Sequence, residues 1–233
     1  MLYKDKFYSE RDERTRAAAA RIIGIIRAVY PFSSMIDVGC GVGTWLSAAL
    51  DQGASLAIGI EGPWLSDSHV TDDRLTIHRQ DLSKPIRQSE RFDFAISLEV
   101  GEHLPQARAD SLVAELCALA PCVLFGAAMP GQTGGVGHIN LQWQGWWADK
   151  FRVQGLVPVD LVRPAVWHES AIPLWYRQNP ILYLQPALLG QLGLQPCADR
   201  FIADIVHPEM FLRSHMPRAP FRKMLYRLRG RRS

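Results

Sequence analysis

A glycine-rich segment follows the first short apolar run of the sequence and begins with an acidic residue. It extends from Asp37 to Gly43 and reads DVGCGVG. Glycines in such a turn let the backbone approach a ligand without a clash from a Cβ atom. A second carboxylate, Glu61, lies 22 positions beyond Gly39, directly after the next apolar run. A carboxylate there can accept hydrogen bonds from two ribose hydroxyls, so the two features predict a site for a nucleotide-type cofactor.

Short apolar runs alternate with helical patterns along the chain and would bring these groups to one edge of a sheet. Strands are predicted at 35–38, 55–60, 75–78, 92–100, 122–127, 156–161 and 180–185, and helices at 10–29, 44–50, 105–120 and 141–154. Strands separated by helices form parallel units with right-handed crossovers. The pattern therefore predicts an α/β fold whose site lies at the carboxyl ends of the strands.

The glycine-rich segment resembles motif I of the class I S-adenosylmethionine-dependent methyltransferases. Further motifs of that family follow in the same order, within residues 33–127. The resemblance implies a Rossmann-like fold with a seven-stranded, mostly parallel sheet, an antiparallel last strand and helices on both faces. It also implies that S-adenosylmethionine is the cofactor. The cofactor-binding residues that it assigns are Asp37, Gly39, Cys40, Gly41, Gly43, Glu61, Gly62, Asp81, Leu82 and Glu99.

The resemblance gives each of these acids a part of the cofactor to bind. Asp37 and Glu99 are expected to place negative charge near the ammonium group. The amino end of the helix that begins at Thr44 favours the cofactor's carboxylate. Glu61 is expected to bind the ribose and Asp81 the adenine amino group, with Leu82 covering one face of the ring.

Two histidines are candidates for the catalytic step, in which an acceptor hydroxyl must lose a proton. His103 follows the fourth predicted strand, and the alternative is that it only organises the turn with Glu102. His138 lies in a glycine-rich loop after the fifth strand, where it would form part of the acceptor wall. The alternative for His138 is an ordinary loop histidine with no part in catalysis.

Several polar and aromatic residues suit the binding of a sugar or another polar ring. The predicted substrate-binding residues are Asn140, Trp175, Tyr176 and Arg177. Ordinary packing is the alternative for the aromatic segment. With His207-Pro208 late in the chain, these segments give a less specific resemblance to methyltransferases encoded with bacterial surface-polysaccharide genes.

The bulk composition is that of a globular domain, with 48% hydrophobic and 21% charged residues. The four cysteines form no CxxC pair, and the acids after the fourth strand are too few for the metal-assisted methyltransferases, so no metal is predicted. The sequence contains no secretory signal pattern and no apolar run long enough to span a bilayer. These features predict a cytoplasmic protein.

The last part of the chain differs in charge from the rest. After Glu209 there are eight basic residues and no acidic one, whereas residues 1–209 carry a net charge of −5. Phe221, Met224, Leu225 and Leu228 recur at helical spacing among these bases. The sequence therefore predicts a methyltransferase domain over 1–205 and a basic amphipathic tail over 206–233. Residues 216–233 of this tail could dock on an anionic membrane, pack on the domain, or contact nucleic acid.

The preferred function is S-adenosylmethionine-dependent O-methylation of a glycan or small polar acceptor. A lipid-linked acceptor at the inner membrane face would agree with the basic tail. Two alternatives remain open at this stage. The first is an RNA or protein methyltransferase, against which the acidic body of the chain argues, and no nucleic-acid partner is expected. The second is a catalytically inactive protein that binds the cofactor and serves as a membrane-docked scaffold.

Overall fold

The described part of the chain contains one sheet of seven strands. The structure, a computed structural model, describes residues 5–70, 72–132, 135–197 and 204–215, with side chains from residue 15 onward. In chain order the strands are Ser34–Val38, Leu56–Glu61, Thr76–Arg79, Phe94–Leu98, Cys122–Gly126, Val157–Val159 and Ile181–Leu184, here β1 to β7. They lie in the order β3-β2-β1-β4-β5-β7-β6. Only the pairs that β7 makes with β5 and β6 are antiparallel, which confirms the predicted sheet.

Helices cover both faces of the sheet. In chain order they are Asp5–Val29, Thr44–Asp51, Ala109–Leu119, Gln144–Val153, Val162–Val166, Leu174–Gln178, Pro186–Leu192 and Pro208–His215, here α1 to α8. Side chains of α1, α2, α5 and α6 form a core on one face. Side chains of α3 and α4 form a second core on the other face. Because both faces are covered, β4 and β5 are buried at every position.

The site lies where the strand order reverses. Strand β1 pairs with β2 on one side and with β4 on the other, so the chain returns from the edge strand β3 to the middle of the sheet. In α/β folds, ligands bind beyond the carboxyl ends of the strands at such a point, because the crossovers on its two sides diverge. The loops after Val38 and Leu98 lie side by side there, with Gly39 against Val100.

Some element boundaries differ from the predicted ones for identifiable reasons. Strand β4 begins at Phe94 and not at residue 92, because the N–H of Phe92 donates to the carbonyl of Leu119. The carboxylate of Asp93 accepts the N–H groups of Ser33 and Ser34, each at 2.8 Å. The predicted connection over 162–179 contains the short helices α5 and α6, which are stabilised by packing because helices of five residues are unstable alone.

The first part of the predicted tail packs on the domain. Met210 is buried, and the carboxylate of Glu209 lies 2.9 Å from the guanidinium of Arg177. Residues 216–233, which contain the proposed membrane-docking segment, lie outside the described residues. Among the helices that are described, none has the length and apolar character needed to cross a bilayer.

Candidate functional site

The glycine-rich loop leaves β1 and turns toward the end of β2. The N–H groups of Gly39 and Cys40 both donate to the carbonyl of Ile60, at 2.8 and 3.2 Å. Gly39, Gly41 and Gly43 all have positive φ values, of 86°, 55° and 87°. The Cys40 side chain is buried, so this residue offers the loop its backbone only. This geometry confines the chain to a tight turn that ends at the start of α2.

Gly39 and Gly41 contribute to the loop in different ways. A Cβ atom on Gly39 would lie 2.2 Å from a methyl carbon of Val100, so the close contact with the turn after β4 requires glycine at this position. A Cβ atom on Gly41 would meet nothing within 4 Å, so the space above Gly41 is open. The loop is thus packed against β4 on one side and open to a ligand on the other.

Replacing Gly39 by alanine should lower the free energy of unfolding more than the same change at Gly155. Both glycines have similar φ values, 86° and 83°, but a Cβ on Gly155 would meet no atom within 4 Å. Gly155→Ala should therefore cost about 1 kcal/mol from backbone strain alone. Gly39→Ala adds the clash with Val100 and should cost about 2–4 kcal/mol. Urea unfolding of both variants measures the two losses in the free energy of unfolding. Equal losses would show that the Val100 side chain can move aside without destabilising the fold.

The carboxylate of Glu61 connects the glycine-rich loop to the end of β2. It accepts the N–H of Gly41 and the N–H of Gly62, each at 2.7 Å. Only 8% of Glu61 is exposed, and burial raises the pKa of its carboxyl. Burial also raises the pKa of Asp37 well above its ordinary value, and the nearby Glu61 raises it further. Two acids that are difficult to ionise thus lie at the ends of β1 and β2, where a bound cation would stabilise their charged forms.

Asp81 and Leu82 follow β3, beside Glu61. The N–H of Gln80 donates to the carbonyl of Glu61 at 2.8 Å, so the two strand ends are held together. The exposed carboxylate of Asp81 accepts the hydroxyl and the N–H of Ser83, and these bonds lower its pKa. The Leu82 side chain is buried in the core beneath α3. The structure therefore places both residues at the expected edge of the sheet, with Asp81 ionised and accessible.

Glu99 directly follows β4 and has an unusual backbone conformation. Its φ is 58°, and among the described residues it is the only non-glycine residue with a positive φ. Such a conformation costs about 1–3 kcal/mol and persists where surrounding contacts enforce it. The N–H of Glu99 donates to the carbonyl of Gly126 at 2.8 Å. This turn places the Glu99 carboxylate beside the side chains of Asn179 and Gln132.

Two amide side chains that the sequence analysis missed hold Glu99 in place. Asn179, fully buried at the start of β7, donates to one carboxylate oxygen at 2.6 Å. Gln132 donates to the other at 2.9 Å and accepts from Asn179 at 2.9 Å. These residues lie 80 and 33 positions from Glu99 in the chain, so no local pattern in the sequence indicates either contact.

His103 and His138 are brought together by the structure. Their ring centroids are 4.9 Å apart with the rings nearly perpendicular. Both histidines are half-buried, and Nε2 of His138 lies 3.9 Å from the carboxylate of the fully buried Glu102. The two candidate catalytic residues therefore belong to one cluster after β4, although 35 positions separate them in the sequence.

Asn140 connects the loop of His138 to the turn of His103. Its side chain is buried and donates to the carbonyl of Gly101 at 3.3 Å. The side chain of Gln142 in turn donates to the Asn140 oxygen at 3.1 Å. Asn140 was predicted to bind substrate, and these contacts give it a positioning role within the same region.

The predicted substrate segment Trp175 to Arg177 lies within α6. Tyr176 is buried and packs edge-on against Trp45, with ring centroids 5.1 Å apart. The buried guanidinium of Arg177 donates to the carbonyl of Ile172 and binds Glu209 of α8. These contacts favour the packing alternative for Tyr176 and Arg177, and their role in substrate binding stays a prediction.

Trp64 is a further site residue that the sequence analysis did not select. Its side chain is 65% exposed and hydrogen-bonds the carboxylate of Glu61. The indole also lies so close to Gly62 that a Cβ atom on that residue would be 2.1 Å from the ring. An exposed aromatic ring beside Glu61 and Gly62 could cover a nucleoside that binds there.

The comparisons with known proteins agree with this geometry. A model of the family described as "Methyltransferase domain" matches residues 8–155, which is more than half of the chain. The chain therefore belongs to this family and is an S-adenosylmethionine-dependent methyltransferase of class I. No curated protein matches the sequence.

Solved structures show the same fold at low sequence identity. The sugar N-methyltransferase KedS8 of a Streptoalloteichus species has a TM-score of 0.60 and 14% identity, over 79% of this chain and 96% of that one. DesVI of Streptomyces venezuelae has a TM-score of 0.57 and 19% identity, over 78% and 96%. An O-methyltransferase family protein of Burkholderia thailandensis has a TM-score of 0.57 and 12% identity, over 78% and 60%.

Proposed function

We propose that the chain transfers the methyl group of S-adenosylmethionine to a hydroxyl oxygen of a glycan or small polar acceptor. The observation that supports the cofactor part most directly is the buried Glu61 carboxylate, bound to the N–H of Gly41 across the glycine-rich loop. This contact holds a ribose-binding acid against an open turn, in the crevice where α/β folds bind nucleotides.

The residues fit the chemical groups of the cofactor. The space above Gly41 is open, so the backbone of the loop can approach a ligand. A carboxylate has about four acceptor positions, and Gly41, Gly62 and Trp64 occupy three of those of Glu61, so one remains for a ribose hydroxyl. Asp37 and Glu99 would face the ammonium group, whose positive charge favours their ionised forms. Asp81, Leu82 and Gly62 would contact the adenosine from the ends of β2 and β3.

The bound cofactor supplies an electrophilic methyl group that an oxygen can attack in line. The residues of the chain would orient the acceptor and remove the proton from its hydroxyl group. His103 and His138 would act there, because their cluster follows β4 and the adjacent Val100 packs on the glycine-rich loop. Asn140 would hold the two loops in register at the acceptor side.

The acceptor class has weaker support, from structural neighbours and from exposed apolar side chains. KedS8 is a sugar N-methyltransferase, and the Burkholderia protein is named as an O-methyltransferase. Val136, Ile139 and Trp143 are exposed around His138 and would suit the apolar face of a sugar ring. The acidic body of the chain argues against an RNA acceptor.

Two measurements test this proposal. Calorimetry should show competitive binding of S-adenosylmethionine and S-adenosylhomocysteine, and absence of heat with both would reject the cofactor site. Incubation with radiolabelled methyl donor and fractionated lysate should then transfer label to a glycan or small polar molecule. Label in RNA or protein would support the alternative acceptors, and tight binding without any transfer would support an inactive scaffold.

We also propose that residues 216–233 bring the protein to the cytoplasmic membrane surface. Deletion of 216–233 should abolish sedimentation with anionic vesicles, because it removes seven basic residues and an apolar stripe. Binding of S-adenosylmethionine should stay unchanged. Vesicles of neutral phosphatidylcholine provide the control, and equal sedimentation of the full and shortened chains would dismiss the proposal.

A further inference from the structure

Three side chains of metal-ligand type converge after β4. Glu102, His103 and His138 each offer a ligand atom, and these atoms all lie within 4.8 Å of one another. Glu102 is fully buried, whereas only 12% of the His138 side chain is exposed. A carboxylate inside a protein is stable when a positive charge lies beside it. Two imidazoles and one buried carboxylate around a common centre therefore have the composition of a metal site.

Backbone hydrogen bonds fix the two segments that supply these side chains. The carbonyl of Glu102 accepts the N–H groups of Ile139 and Asn140, at 2.8 and 3.1 Å. The Asn140 side chain adds its bond to the carbonyl of Gly101. These bonds, made by the two residues that follow His138, hold its segment beside the turn of Glu102. Such a preformed arrangement reduces the conformational cost of binding an ion.

The environment of His103 also suits metal binding. Its Nδ1 atom lies 3.3 Å from the carbonyl of Gly137 and can donate a hydrogen bond to it. With the proton on Nδ1, the lone pair is on Nε2. Histidines that bind metals commonly donate their other N–H to a backbone carbonyl, which fixes the ring orientation. The loop that contains His138 therefore also orients His103.

We propose that Glu102, His103 and His138 bind one divalent transition-metal ion. Imidazole ligands favour Zn²⁺ or Co²⁺ over Mg²⁺ and Ca²⁺, which prefer oxygen. Ligand atoms about 2.0–2.2 Å from a tetrahedral ion lie roughly 3.4 Å apart, so the cluster must contract by about 1 Å. Half-buried histidine side chains can make that movement by small rotations. No metal was predicted from the sequence, because the acids after the fourth strand are few and His138 lies 35 positions beyond His103.

The role of this ion rests on the proposed function. Three protein ligands leave a coordination position for the acceptor hydroxyl, and a bound cation lowers the pKa of that hydroxyl. The proton leaves to solvent. The resulting oxygen attacks the methyl carbon, an O–C bond forms, the C–S bond breaks, and the electron pair stays on sulfur. In this arrangement the histidines act on the acceptor through the ion and not as the base itself.

Metal binding can be measured on the untagged full chain after treatment with a chelator. Titration with Co²⁺, followed by visible absorption, should show one bound ion per chain, and Zn²⁺ should displace it. His138→Asn and His103→Asn should each weaken binding by at least about 100-fold, since each removes a ligand. His168→Asn, at an exposed histidine, is the matched control and should leave affinity unchanged.

The outcomes separate this inference from the proposed function. Absence of Co²⁺ binding by the wild-type chain, or equal binding by the His138→Asn variant, would overturn the metal site. Glu102→Gln should also abolish Co²⁺ binding, and circular dichroism shows whether that variant folds. If it does not fold, the two histidine variants alone test the metal site. Calorimetry with S-adenosylmethionine on the same chelated protein tests the cofactor site independently.

Discussion

Replacement of Glu61 by glutamine is expected to weaken binding of S-adenosylmethionine and S-adenosylhomocysteine by about 10- to 100-fold. A hydrogen bond to a charged group contributes about 1.5–3 kcal/mol, and each 1.4 kcal/mol corresponds to a tenfold change in affinity. Glutamine keeps the size of the side chain and one acceptor oxygen, but it lacks the negative charge. That charge strengthens the hydrogen bonds from the N–H groups of Gly41 and Gly62 and the proposed bond from the ribose. Isothermal titration calorimetry measures the change directly.

Asp93→Asn provides a matched control for this variant. Asp93 also accepts two backbone N–H groups, those of Ser33 and Ser34, but it precedes β4 and lies at the opposite edge of the sheet. Its replacement should lower stability and leave cofactor affinity unchanged. If Glu61→Gln and Asp93→Asn gave the same cofactor affinity, Glu61 would have only a structural role.

Replacement of Glu99 by glutamine is expected to lower the affinity for S-adenosylmethionine by about tenfold or more, because the variant loses the negative charge of Glu99 near the ammonium group. The amide of glutamine would also present N–H groups to the donors of Asn179 or Gln132. The effect should depend on the ligand. 5′-Methylthioadenosine has the adenosine and the sulfur but no amino-acid part, so Glu99→Gln should leave its affinity unchanged. Competition calorimetry with both ligands measures this selectivity.

The two acids can therefore be distinguished with one pair of ligands. Glu61→Gln should lower the affinity for 5′-methylthioadenosine as much as that for S-adenosylmethionine, because both ligands contain the ribose. Glu99→Gln should lower the affinity only for the ligand with the ammonium group. An equal loss of both ligands in the Glu99 variant would place that side chain elsewhere or show that the variant disturbs the whole crevice.

The local features of the fold could be predicted from the sequence. Alternating apolar runs and helical patterns indicate a parallel sheet, because buried strands and covering helices impose those patterns on adjacent residues. The loop from Asp37 to Gly43 and the acid at Glu61 could also be recognised, since the turn and the next strand end are close in the chain. In the structure the N–H of Gly41 donates to the buried carboxylate of Glu61, and the binding of the cofactor by these residues stays a prediction.

Features that depend on distant parts of the chain could not be predicted. Asn179 and Gln132 bind Glu99 only because β7 and the loop after β5 return to the end of β4. The contact between His138 and Glu102 likewise depends on backbone bonds across two loops. Short helices such as α6 have no reliable pattern of their own, and the burial of Arg177 follows from the packing of α8.

The reversed direction of β7 places Asn179, which precedes it, at the edge of the sheet where β4 ends. A ribosome that has synthesised the chain through Gln132 has made the glycine-rich loop, Glu61, Glu99 and one of the two amides that bind Glu99, but not Asn179. The contact between Asn179 and Glu99 is therefore completed only when β7 has inserted between β5 and β6. If Glu99 binds the methyl donor as proposed, a chain shortened before β7 should bind S-adenosylmethionine more weakly than the full chain.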